Sequence, residues 1–240
     1  MTDLALLAAL AHPDDETFRP GGTLALLARQ GVRVQVLSAT RGEAGSCGDP
    51  PRCTPEELPA VRTEELRCAC AVLGIAPARL LKYPDGYLRE ADPEALSADI
   101  LDIIAEVNPQ VMLTFGPDGL SGHRDHVVIG ELAKRAFNRS ATVASLYTLA
   151  VPASVASRFS MSQVQPVPDE DIGLRVDVSS VWDLKRAAMD CHATQRSSTP
   201  MLTAPEITQR LFFGREYFVC TTCRNAELDF LPKLLHGYCL

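Results

Sequence analysis

From Ala5 to Ala11 the chain is continuously apolar, and the run ends abruptly at His12 and a proline-acidic turn. An unbroken apolar stretch of that length predicts a central parallel strand buried on both faces. Gly21-Gly22 opens an apolar-rich helix over Thr23 to Gln30, stopped by Gly31. Val32 to Ala39 reads as the second strand, Arg79 to Tyr83 as a short third and Val111 to Phe115 as the fourth. Helical spacing places helices over Pro59 to Leu73, Pro93 to Val107 and Arg124 to Asn138. Ser145 to Val151, Leu174 to Val178 and Glu216 to Cys220 look extended, and Ser180 to His192 looks helical. Between the second strand and the next helix, Thr40 to Leu58 forms a long loop rich in Gly, Pro and Cys. A loop of that length inside a compact domain points to a lid or a substrate wall.

Strands alternating with helices predict an α/β fold: Rossmann-like, with a mostly parallel sheet, helices on both faces and a single domain. Residues 1–150 are expected to form the parallel core and 151–240 a smaller part that completes the pocket. Ligands in such sheets bind beyond the carboxyl ends of the strands. Two polar clusters fall there, one after the first strand and one after the fourth.

In the first cluster, Ala11-His12-Pro13-Asp14-Asp15-Glu16, proline fixes its own φ and suits the start of a tight turn. His12 and Asp15, three apart, then share one side, and Asp14 points elsewhere, toward the cavity. Two ligands and a free carboxylate are the minimal equipment for metal-assisted hydrolysis. Acidic residues merely complementing a helix dipole would explain neither His12 nor the doubled aspartate. In the second cluster, His123-Arg124-Asp125-His126, the histidines are spaced i, i+3 and face one side of a helix start. Asp125 between them is placed to accept an imidazole N–H and so set its orientation. His12, Asp15 and His126 together make a site with open positions, suited to zinc in hydrolysis or to ferrous iron or another divalent metal.

Composition narrows the classes. Hydrophobic residues make up 46% of the 240, charged residues 22%, and the net charge is −7. No basic block outweighs that charge, which argues against a nucleic-acid binder. No apolar run is long enough to span a membrane. The N-terminus superficially resembles a signal segment but lacks its basic flank, so a cytoplasmic location is expected. Eight cysteines are many. Cys68, Cys70 and Cys191 read as small core residues within helices, and a reducing compartment would keep most thiols free. Cys220, Cys223, His236 and Cys239 roughly match the spacing of a Cys3His zinc site, unless Cys220 simply ends a strand.

Several motifs in order complete the picture: Gly21-Gly22, Thr40-Arg41-Gly42-Glu43, Arg62-Thr63-Glu64-Glu65-Leu66, Tyr83-Pro84-Asp85-Gly86 and His192-Ala193-Thr194-Gln195. With the two histidine clusters, they make the chain resemble the PIG-L/LmbE-like metal-dependent de-N-acetylases, which act on N-acetylglucosaminyl-phosphatidylinositol and on mycothiol- and bacillithiol-type precursors. The resemblance implies a hydrolase that removes an acetyl group from an N-acetylated amino sugar or its conjugate, using zinc or another divalent metal. It implies His12, Asp15 and His126 as ligands, Asp14 as general base, His123 at the oxyanion or leaving amine, and Asp125 orienting an imidazole. Arg62 and Asp85 match sugar-contacting positions, and His192 is expected to line the same pocket.

His123 is expected to act as a cation, favoured by Asp125. Arg19 stands where relatives often carry a small residue, and is expected to turn outward, with anion binding as the alternative. The partner is a small-molecule substrate, and a homo-oligomer is left open. Three other functions compete. An amidase on a thiol-sugar conjugate would use the same chemistry. A ferrous oxygenase would leave Asp14 and His123 unexplained. A nucleotide-binding module lacks G-x-G-x-x-G after the first strand.

Overall fold

In a computed structural model that describes residues 4–239, seven strands form one sheet in the order β3-β2-β1-β4-β5-β7-β6. The strands are β1 (Ala5–Leu10), β2 (Arg33–Ser38), β3 (Arg79–Leu80), β4 (Val111–Phe115), β5 (Ser145–Ala150), β6 (Leu174–Asp177) and β7 (Arg215–Cys223). β3, β2, β1, β4 and β5 pair in parallel, and β7 runs antiparallel between β5 and β6. Every residue of β1, β4 and β5 is buried, as strands covered on both faces must be.

The helices are α1 (Asp15–Phe18), α2 (Gly21–Arg29), α3 (Leu58–Leu73), α4 (Pro93–Val107), α5 (Gly119–Gly122), α6 (Arg124–Arg139), α7 (Ala153–Arg158), α8 (Trp182–Cys191), α9 (Glu206–Phe213) and α10 (Leu231–Leu234). α2, α3 and α8 pack together on one face, and α4 and α6 on the other. The predicted α/β architecture is present, with element ends within a few residues of expectation. The third strand is shorter than expected and lies at the sheet edge, although Leu81 and Tyr83 still donate to Ser38 and Ala39. Pattern reading missed α5, α7, α9 and α10, helices too short to show a helical period.

β1 and β4 are neighbours from which the chain departs to opposite sides, so the site lies at the switch point beyond their carboxyl ends. Gly130 lets α6 settle there: a Cβ would stand 2.6 Å from the Phe115 carbonyl oxygen at the end of β4.

The cysteines depart from expectation. Only Cys70 is a core residue; Cys68 on α3 and Cys191 on α8 lie near the surface and form a disulfide. The two helices pack directly on each other, which brings their surface thiols face to face. Cys220, Cys223, His236 and Cys239 form no metal-binding group among the described residues. Cys220 is paired along β7 with Tyr147 of β5, whereas Cys239 bridges to Val176 on β6. Met1 to Asp3, part of the segment weighed as a signal, lie outside the described residues. No helix among the described residues is long and apolar enough to cross a membrane.

Candidate active site

A cavity of about 270 Å³ opens beyond β1 and β4, lined by His12, Asp14, Asp15, Arg62, Asp85, His123 and His126, together with Phe18, Ala44, Gly45, Gly86 and Gln195. The loop after β2 supplies Ala44 and Gly45, as a substrate wall should. Its Thr40 hydroxyl donates to the Ala11 carbonyl and accepts from the Gly42 N–H, tying the loop to the His12 turn.

The two ligand-candidate histidines are held by one nitrogen each. His12 Nε2 lies 3.0 Å from Asp85 and 3.3 Å from Asp125. His126 Nδ1 lies 3.0 Å from the Gly119 carbonyl oxygen, and its ring stacks on Phe115 at 3.9 Å. Both carboxylates beside His12 also accept backbone N–H groups: Asp85 from Ala44, and Asp125 from Gly86 and Leu88. Those partners assign the protons to His12 Nε2 and His126 Nδ1. The remaining nitrogens, His12 Nδ1 and His126 Nε2, then face each other at 3.2 Å as bare lone pairs. Asp15 joins them, its Oδ1 3.3 Å from His126 Nε2 and its Oδ2 3.7 Å from His12 Nδ1.

Two lone pairs and a carboxylate at such range repel one another unless a cation lies among them. The 3.2 Å between the nitrogens and the 3.3 Å from His126 Nε2 to Asp15 Oδ1 match the ~3.3 Å ligand edges of a tetrahedral zinc with bonds of about 2.0–2.1 Å, whereas Asp15 Oδ2 accepts the Ala11 and His12 N–H groups. Donor atoms also gather as His12 with His123 and His126, and as His12 with Asp85 and Asp125. The second of these groups is occupied by backbone donors, and Asp125 is wholly buried away from the cavity. His12 and His126, with Asp15 beside them, remain as donors open to the cavity.

Electrostatics agree. With no cation among them the same donors would take up protons instead: burial works against a charge on His12, but hydrogen bonds to Asp125 and Asp85 raise its pKa to about 10. Burial would raise Asp15, yet His126 and His12 hold it well below the usual carboxylate range. The centre is built to attract positive charge.

Asp14 stands apart. Its backbone has φ 111°, an unusual conformation for a residue other than glycine. The Asp14 N–H donates to Glu16 Oε2 at 2.9 Å, and the Asp14 carbonyl accepts from Thr17. Burial pushes its carboxyl up to about 6, with Arg62 opposing and Asp15 assisting. Arg62, 3.1 Å from Asp14, also donates to the carbonyls of Pro13 and Gly42. Arg62 and Asp85 thus line the cavity, but both already hold the His12–Asp15 turn in place.

Two expectations need correction. His192 does not line the cavity: it is fully buried, and its Nε2 lies 2.6 Å from Glu16 Oε1. It supports Asp14 through Glu16, and Gln195, three residues on, reaches the cavity instead. His123 is not disposed to be cationic. Burial and the His12 and His126 rings lower its pKa, outweighing Asp125. Its Nδ1 caps α6 by accepting from the Asp125 N–H at 3.3 Å, so Nε2 carries the proton of the neutral ring. The roles of Glu16 and Phe18 were missed. Glu16 lay inside the first motif, but nothing local distinguishes a buried glutamate from a solvated one.

Residues 7–137 match the PIG-L family profile, described as GlcNAc-PI de-N-acetylase. The chain belongs to the PIG-L family. A 1D-myo-inositol 2-acetamido-2-deoxy-α-D-glucopyranoside deacetylase of Acidothermus cellulolyticus is 31% identical, covering 90% of this chain and 88% of its own. Among solved structures, the N,N'-diacetylchitobiose deacetylase of Pyrococcus horikoshii superposes with a TM-score of 0.65 at 22% identity, over 90% of this chain and 82% of that one. GalB, the 4-carboxy-2-hydroxymuconate hydratase of Pseudomonas putida KT2440, superposes with a TM-score of 0.67 at 21% identity, over 93% and 98%. PIG-L-like folds therefore also occur with other chemistry, and function has to be argued from the site.

Proposed function

We propose that this protein is a metal-dependent hydrolase that removes the acetyl group from an N-acetylated amino sugar, of the N-acetylglucosamine type, or from its conjugate. The observation that carries it is the 3.2 Å facing of His12 Nδ1 and His126 Nε2, with Asp15 Oδ1 3.3 Å from His126 Nε2 and the Asp14 carboxylate, held by Arg62, on the same cavity. His12, Asp15 and His126 would hold a divalent cation, zinc first and ferrous iron second, which lowers the pKa of a water to about 7 and polarises a carbonyl.

Asp14 takes the proton of the attacking water. Its raised pKa makes it a better acceptor than an exposed aspartate and still leaves it ionised at neutral pH. As the amide carbon becomes tetrahedral, His123 Nε2–H donates to the oxygen that gains charge, a contribution of roughly 2.7–4 kcal/mol by comparison with other oxyanion donors. Asp14 then returns its proton to the nitrogen, the C–N bond breaks, and acetate and a free amine leave. Arg62 and Glu16 keep Asp14 aimed, and Asp125 and Asp85 keep His12 turned. The substrate class is supported by the family and by the inositol glycoside on which the Acidothermus relative is named to act.

The test is acetate and free-amine release by protein loaded with zinc, ferrous iron or cobalt. Substrates are N-acetylglucosamine, its malate- and inositol-linked forms, and chitooligosaccharides. Release that stops on chelation and returns on reloading supports the function. Fully loaded protein that releases no acetate from any of them overturns it. Acetate release without oxygen also excludes the ferrous oxygenase, for which Asp14 and His123 have no task.

A further inference from the structure

Beside the catalytic cavity, sharing Asp15, Phe18 and His126 with it, lies a second cavity of about 340 Å³. Phe115, Leu120, Phe212 and Phe213 give it apolar walls, Ser198 and Thr199 add hydroxyls, and among the described residues Arg19 is the one arginine or lysine that lines it. Phe18 stacks on Phe213 with ring centroids 6.2 Å apart, and Phe212 meets Phe213 edge-on at 4.7 Å. The expected outward turn of Arg19 does not occur. Its guanidinium folds over Phe212, 5.5 Å from the ring centre.

The Arg19 guanidinium makes no hydrogen bond or ion pair among the described residues. Lys185, close behind, is bonded to the Arg19 carbonyl oxygen and paired with Glu216 at 2.6 Å. Glu216, the carboxylate whose charge reaches Arg19, spends both oxygens on Lys185 and on the Gly22 and Thr23 N–H groups. Burial lowers the Arg19 pKa to about 10, with Glu216 opposing, so the group stays cationic at neutral pH. An unpaired planar guanidinium among aromatic rings is suited to an oxyanion, because low local polarity strengthens the pair.

We propose that this cavity binds the part of the substrate beyond the reacting acetamido sugar, and that this part is an apolar group carrying a carboxylate or a phosphate, recognised by Arg19. The proposal rests on the deacetylase function above and sharpens it. Arg19 sets which conjugate is used, since Ser198 and Thr199 offer a neutral polyol only uncharged hydrogen bonds, whereas the guanidinium gives an anion a charge-assisted pair.

The experiment compares phenyl, 4-carboxyphenyl, 4-phosphophenyl and 4-trimethylammoniophenyl N-acetylglucosaminides, with the inositol-linked sugar as the polyol arm. For the wild type, kcat/KM for the better anionic compound should exceed that for the phenyl compound by about tenfold, equivalent to ~1.4 kcal/mol of charge-assisted hydrogen bonding. The cationic and inositol compounds should rank below phenyl, and the two anionic arms decide between carboxylate and phosphate. In Arg19→Gln the anionic-to-phenyl ratio should fall to about one, and Arg19→Lys should keep part of it. Calorimetric binding of the matching free-amine glucosaminides, which carry no acetyl group to lose, supplies a readout that does not need turnover.

Acetate release with no anionic preference, or a preference unchanged in Arg19→Gln, overturns the subsite and leaves the deacetylase function standing. Absence of release from every compound overturns the deacetylase function instead. In that case the binding series decides the subsite: equal affinity for the anionic and phenyl amines overturns it, and an Arg19-dependent difference supports it.

Discussion

Asp14 occupies the conformation that an aspartate adopts least willingly in this chain, and the reason lies in the groups that hold it. Glu16 accepts its N–H, Arg62 sits on its carboxylate and Thr17 binds its carbonyl. The strain aims a carboxylate at the cavity while its neighbour Asp15 turns toward the two imidazoles. Replacing Asp14 with Asn keeps the shape and removes the base. Turnover should drop by ~10²–10⁴-fold, while metal content, read by elemental analysis, should stay at the wild-type level. Equal loss of metal would instead make Asp14 a ligand. Cys70 offers a second test at this scale. Burial pushes its thiol up to about 12, so it should resist alkylation in native protein at pH 8 while Cys220, Cys223 and Cys239, all exposed, react. Peptide mapping after iodoacetamide reads the difference.

Between elements, one buried pair joins three parts of the chain. Lys185 on α8 is paired with Glu216 on β7, and Glu216 caps the first turn of α2 through Gly22 and Thr23. Both side chains are 1% exposed, so neither charge has water to fall back on. Lys185→Met should destabilise the fold by about 3 kcal/mol, the low end for breaking a buried pair, since Glu216 keeps two backbone donors. The denaturant midpoint measures this, and a neutral result would mean the pair contributes nothing. Gly130→Ala should be just as informative. Its Cβ would push α6 off the end of β4 and carry His123, Asp125 and His126 with it. Activity should fall further than stability.

At the scale of the whole molecule, alkaline pH tests the closure of the sheet. Tyr147 on β5 is buried and donates to Asp229 at 2.7 Å. Burial and that bond raise its pKa above the ordinary value of about 10. A raised folded pKa means the contribution is complete below pH ~10 and is lost as pH climbs further, because the unfolded chain releases the proton first. Denaturation midpoints between pH 8 and 11 should therefore fall more steeply for wild type than for Tyr147→Phe. Matching slopes would remove Tyr147 as the cause. Metal binding should act on the same scale, since a ligand at a hundredfold excess over its Kd adds about 2.7 kcal/mol. Chelation should lower Tm together with acetate release.

The α/β pattern and both histidine clusters were legible because each rests on neighbours in sequence. Continuous apolar runs make buried strands, and i, i+3 spacing puts His12 with Asp15 and His123 with His126 on common sides. What stayed hidden depends on groups far apart along the chain. Which nitrogen of His12 is left bare is set by Asp85 and Asp125, more than seventy residues away. His192 was misread because only packing shows that Glu16 waits beneath it. Cys68 and Cys191 were misread because only the contact of α3 with α8 brings them together. Arg19 in isolation is a charge that should seek water; Phe212 and Phe213, arriving nearly two hundred residues later, keep it inside. The sequence by itself determined the layered fold and the local donor spacing, because short-range periodicity and turn chemistry decide both. Tertiary structure alone decided protonation and aim, because those follow from what distant segments place within hydrogen-bonding reach.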